Sequence, residues 1–148
     1  MNRQIIWVVI TCVLVASCGG EKENGIPVVN LEALNAIPLD HRIDQLAKDT
    51  TFIDVTFPPH ARIDQLTQKE LGLLKAAAYR FYHHVTLENN QYRIDIKDPK
   101  TLHISEQVIK AYEQAINNTN HFADSMSKVG QNIELPAVDK EYLSKLLQ

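Results

Sequence analysis

"TQKELGLLKAAAYRFYHHV", residues 67–85, carries the strongest helical signal in the chain. Thr67-Gln68-Lys69-Glu70 is a capping box. The threonine hydroxyl accepts from the backbone N–H of Glu70, and the glutamate side chain reaches back to the N–H of Thr67. Behind it Leu71, Leu74, Ala78, Phe81 and Val85 recur at steps of three and four, the stripe of an amphipathic helix. Gly72 weakens that helix by about 1 kcal/mol against alanine. With the stripe turned to a core, Tyr79, Arg80, Tyr82 and His83 are left to the sides and outer face. Tyrosine and arginine anchor protein interfaces, so these four form a candidate partner surface. The plainer reading is the flank of an ordinary core.

Downstream, "ENNQ" at 88–91 turns the chain, and Tyr92, Ile94 and Ile96 alternate with Arg93 and Asp95 as in a half-buried strand. Asp98-Pro99 ends it. Ser105 is placed to cap a second long helix with a face of Val108 or Ile109, Tyr112, Ile116, Thr119, Phe122, Ala123 and Met126, stopping near Gly130. A last helix over 138–147 offers Leu143, Leu146 and Leu147. Upstream, Asp40 is placed to cap a short helix through Lys48, and "TFIDVTF" at 51–57 alternates as a strand before Pro58-Pro59. The sum is a helix-rich α+β domain over 39–148, with two long amphipathic helices, short helices and a small hairpin or two to three strands. A mainly α bundle is the alternative.

"RIDQL" occurs at 42–46 and again at 62–66, and "RID" recurs at 93–95. Either the two pentamers are matching docking elements, or two amphipathic segments coincide; neither is long enough to be a structural repeat.

The leading end reads differently. Asn2 and Arg3 precede an apolar run from Ile5 to Val15, too short to span a bilayer of about 30 Å. A charged start, a brief apolar region and small residues before a cut describe a secretory signal. Val15-Ala16-Ser17-Cys18 resembles the lipobox of bacterial lipoproteins, cut by signal peptidase II. The resemblance implies a signal peptide over 1–17 and lipidation of Cys18, typically including palmitate. Two or three acyl chains on one residue hold firmly where a single chain does not. Residues 18–38 then read as lipidated cysteine and tether, loosened by Gly19, Gly20 and Gly25, although Val28, Val29, Leu31 and Leu34 are apolar enough to dock. Gly19 is not the aspartate that retains family members at the inner membrane. The outer membrane is therefore expected, facing the periplasm rather than the surface.

Losing 1–17 also removes Cys12 and Arg3, leaving 14 basic against 18 acidic side chains, a formal charge of −4. Such a balance argues against nucleic acid as a partner, and with Cys18 lipidated no thiolate metal site is expected. The six histidines form no H-E-x-x-H or short zinc pair, and the five glycines build no phosphate-cradling loop. No catalytic residue, cofactor or metal is expected, and an enzyme ranks last; a folded pocket lined by two or more histidines is the feature that favours one. The expected role is a protein-binding accessory or assembly lipoprotein of the cell envelope, similar in overall build to small lipoprotein subunits of secretion systems such as type VI. The alternative is a periplasmic immunity or inhibitor lipoprotein that binds a toxin or hydrolase.

Overall fold

A computed structural model of the chain describes residues 31–56 and 62–148. In chain order these form helices α1 (Leu31–Ala36), α2 (Asp44–Lys48) and α3 (Gln68–Tyr82), strands β1 (Val85–Glu88) and β2 (Gln91–Ile94), and helices α4 (Glu106–Lys128) and α5 (Lys140–Ser144). Short 3-10 turns lie at Ile63–Gln65, Pro99–Leu102 and Lys145–Leu147. The architecture is helix-rich α+β with one two-stranded antiparallel sheet among the described residues.

Helix α3 is the axis of the fold. Its capping box forms as expected: Glu70 N–H donates to Thr67 Oγ1 at 3.3 Å and Thr67 N–H to Glu70 Oε2 at 2.8 Å. Beyond the cap the helix is buried on nearly every side, from Leu71 and Gly72 through Lys75, the run Ala76-Ala77-Ala78, Arg80, Phe81 and Tyr82. Alanine and glycine let neighbours approach the helix backbone. At Gly72 a Cβ atom would stand 3.4 Å from Ile43 Cγ2, beside α2. On the α4 side the buried Tyr112 hydroxyl donates to the Leu74 carbonyl at 2.7 Å. Leu143 from α5, Leu146 and Leu147 from the turn after it, and Leu31 and Leu34 from α1 complete the same core.

The helix ends at Tyr82, so Val85 is not its last core residue but the first of β1. Asn89 and Asn90 both take left-handed backbone (φ 51° and 59°), the two-residue hairpin turn that matches strand twist. Val85 consequently pairs with Ile94 and Glu88 with Gln91. Two asparagine amides then act as strand substitutes. Asn120 on α4 accepts from Tyr92 N–H at 2.8 Å and donates to Tyr92 O at 3.0 Å. Asn90 donates to Ile133 O at 2.6 Å and accepts from Leu135 N–H at 2.8 Å, holding the segment after α4 against the hairpin tip. Helix α4 stops in a Schellman motif, with Gln131 N–H on Met126 O, Gly130 N–H on Ser127 O, and Gly130 at φ 78°.

Several expectations are corrected. Residues 51–56 form no strand: Ile53 makes an isolated parallel bridge to Ile104, with Ile53 N–H on His103 O and Ser105 N–H on Ile53 O, both at 2.8 Å. Phe57 and the proline pair lie outside the described residues. Asp40 does not cap α2; its N–H donates to Gln68 Oε1, and the helix begins after Ile43. Ser105 precedes α4, yet its Oγ is buried without a partner. Phe122 is 55% exposed rather than facing the core. Leu31 and Leu34, apolar residues within the stretch read as tether, are buried in the core, the docking that their apolar character allowed.

Candidate functional site

The four residues nominated as a partner surface do not share one. Arg80 and Tyr82 are 9% and 3% exposed, because α3 is packed on most of its faces instead of along one stripe. The Arg80 guanidinium is a clamp. It donates to the main-chain oxygens of Leu46 (2.5 Å), Ala47 (3.3 Å), Thr51 (2.8 Å), Leu102 (3.2 Å) and His103 (3.2 Å), and to Asp49 Oδ1 at 3.0 Å. Leu46 and Ala47 lie in the last turn of α2, where carbonyls run out of helical partners. One planar fork therefore closes α2 and ties the 49–53 strand-like segment to the 102–104 turn. Loss of hydration pulls the guanidinium below its ordinary value, with Asp49 opposing.

Above this clamp lies a depression of about 340 Å³ lined by Lys48, Asp49, Tyr79, Arg80, His83, His84 and His103. Tyr79 is half-buried and its ring stands 4.4 Å from that of His83, whose Nδ1 lies 2.8 Å from Tyr79 O. His103 reaches the rim because it ends the Pro99–Leu102 turn in left-handed backbone, φ 52°. Sequence reasoning missed it: its distance from His83 and His84 along the chain is closed only by the bridge and the clamp. The feature named as favouring an enzyme is thus present. Its geometry is less enzymatic than its composition. His83 is oriented by a backbone carbonyl, and Asp49 Oδ1 takes both Arg80 and Thr51 N–H. Among the described residues no group of three or more His, Cys, Asp or Glu side chains is disposed to hold a metal ion.

A second concavity, about 430 Å³, opens between α1, the hairpin, α4 and the segment after it. Tyr82, Tyr92, Tyr142, Ile116, Phe122 and Leu135 are among its lining residues. Tyr82 packs edge-on to Phe81 and Tyr112, with centroids 5.3 and 5.8 Å away. The Tyr92 hydroxyl donates to Pro136 O at 2.8 Å. Burial raises the Tyr82 phenol above its ordinary range, pushes Tyr92 up to about 12 and raises Tyr142 as well. Tyr92, Tyr142 and Phe122 were not nominated from sequence; they lie on three elements and meet only through the fold.

Cys18 lies outside the described residues. Of the pentamers, both copies fold alike at their first residues. Arg42 forks onto Asp44 (2.8 and 3.1 Å) and Arg62 onto Asp64 (3.0 and 2.9 Å), each with Ile between. The first copy enters α2 and the second a single 3-10 turn, while Arg93 and Asp95 belong to the hairpin and the residue after it. These forks are exposed and stabilise little. Among the described residues no helix is long and apolar enough to cross a membrane. Comparison of the chain with family models, curated proteins and solved structures gives no match.

Proposed function

We propose that this chain is an envelope lipoprotein, anchored through acyl chains on Cys18 at the outer membrane, whose folded part holds a protein partner on the periplasmic side. The observation that carries the reading is Val15-Ala16-Ser17-Cys18 behind a charged start and an eleven-residue apolar run, Ile5–Val15. The folded part supports it by offering an aromatic groove, with the exposed Phe122 at its edge, as a place for a partner side chain or helix. Aromatic anchors in concave apolar surroundings dominate binding energy at protein interfaces.

The anchor is tested by Cys18→Ser. The substituted chain takes up no labelled palmitate and leaves the membrane fraction, whereas the parent does both; continued labelling of the serine variant ends the reading. The partner surface is tested by a photo-crosslinking residue at Phe122 in intact cells. Tyr82 is unsuitable for this purpose because it is a core residue. The aromatic groove also favours the second reading, an immunity or inhibitor lipoprotein. The two separate by what Phe122 captures, a structural envelope protein or a toxin or hydrolase whose activity falls on binding.

A further inference from the structure

We infer that the depression above the Arg80 clamp is a docking site for a carboxylate-bearing peptide segment, and that acid tightens it. The charged and titratable groups facing it are Lys48 and Asp49 from the end of α2, Tyr79, Arg80, His83 and His84 from the end of α3, and His103 from the Pro99–Leu102 turn. Asp49 Oδ1 is spent on Arg80 and on Thr51 N–H, and the carbonyls of Leu46, Ala47, Thr51, Leu102 and His103 are turned onto the guanidinium. Most of the acceptors are thereby used within the protein. What remains toward solvent is Asp49 Oδ2, the Lys48 ammonium, which has a loose 4.0 Å contact with Asp44, and three imidazoles.

Histidine is the side chain that ordinarily changes charge between pH 5 and 8. At His83 the chemistry of the change is explicit. With Nδ1–H donating to Tyr79 O, Nε2 of the neutral ring is an acceptor that repels an anion; protonation converts it to a charged donor. With all three rings protonated, the depression carries Lys48, Arg80 and three imidazolium ions against Asp49 alone. The guanidinium fork, which would meet carboxylate or phosphate bidentately, has no donor to spare, so an anion here is met by single donors set on separate elements. Single carboxylates spaced along a peptide answer single imidazolium donors.

The inference is independent of the lipid anchor and is tested on the full chain carrying Cys18→Ser. A labelled hexaglutamate peptide is titrated at pH 7.5 and 5.5, with inorganic phosphate as competitor and NMR of the histidine rings as a second readout. The expected result is binding at least tenfold tighter at pH 5.5. The peptide should shift the titrations of His83, His84 and His103 toward higher pH and leave His41 and His121 unmoved. In the His83→Gln, His84→Gln, His103→Asn variant the pH dependence disappears; asparagine keeps the left-handed backbone at 103. Should that variant unfold, His84→Gln alone, at an exposed ring, has to weaken the pH 5.5 binding. The inference fails if the peptide does not bind at pH 5.5, if the pH dependence survives in the variants, or if the ring titrations stay put. It fails equally if phosphate displaces the peptide at equal concentration, which assigns the depression to phosphate instead.

Discussion

Arg80 Nη2 lies 3.0 Å from Asp49 Oδ1 with the arginine side chain 8% exposed, and the same guanidinium serves five main-chain carbonyls. A buried cation so placed is expensive to desolvate, yet more expensive to remove, since deletion strands its acceptors in a site shaped around it. Arg80→Met should therefore destabilise the fold by about 3–5 kcal/mol. Arg80→Lys keeps the charge without the planar fork and should recover only part of that loss. Asp49→Asn, which leaves the carbonyl partners in place, should cost less than either. Urea unfolding of the three variants checks the order; equal losses for Asp49→Asn and Arg80→Met contradict a clamp made chiefly of carbonyls.

Gly72 is a helix-interior glycine with ordinary van der Waals room for a methyl group, 3.4 Å from Ile43 Cγ2 and 3.5 Å from His41 Nε2. Alanine there removes the propensity penalty without forcing a clash. Gly72→Ala should raise stability by up to about 1 kcal/mol. A lower denaturation midpoint would mean that α2 packs more tightly on this face than the spacing allows.

Leu34 is fully buried on α1 although it lies in a stretch whose glycines and prolines read as tether. Leu34→Ala should cost about 2–5 kcal/mol, as for other large-to-small core changes. A change within about 0.5 kcal/mol, the usual range for surface positions, returns α1 to the tether.

What the sequence disclosed and what it hid divide along local and non-local lines. The capping box at Thr67 and Glu70, the stop at Gly130 and the leucines at 143, 146 and 147 were readable because each depends on neighbours within one or two turns. The stripe on α3 is buried as read, but it is not the helix's only buried face. Ala76-Ala77-Ala78 was the available signal, since small residues on every face permit neighbours on every side, and Arg80 and Tyr82 then had no outer face to occupy. Strand β1 was hidden because Val85 continues the helical period; only the left-handed Asn89-Asn90 turn fixes where its partner must lie. The histidine depression and the tyrosine groove were illegible for a further reason. Their residues come from elements far apart in sequence, joined by asparagine and arginine side chains bonding to main chain, and no periodicity encodes such pairings.

The tyrosines give the protein an alkaline limit. Burial raises the phenols of Tyr82 and Tyr142, raises Tyr112 well above its ordinary range, and pushes Tyr92 up to about 12. An unfolded tyrosine loses its proton near pH 10, while these remain neutral in the native chain. Above about pH 10 the unfolded state therefore binds fewer protons than the native one, and stability must fall as pH rises toward the native values. Lys75 works in the opposite sense at lower pH. Burial holds its pKa below 10.5, so its contribution rises with pH through the window between its native and unfolded values. The measured profile should consequently turn downward only above about pH 10, and in a Tyr79→Phe chain, whose remaining tyrosines are these four, tyrosinate absorbance should appear together with loss of helical circular dichroism. Tyr112→Phe should lower stability at neutral pH by about 1 kcal/mol, through loss of the bond to Leu74 O, and make the alkaline decline shallower. In the Tyr79→Phe chain, tyrosinate that forms gradually ahead of any loss of helix contradicts the burial on which the groove and core assignments rest.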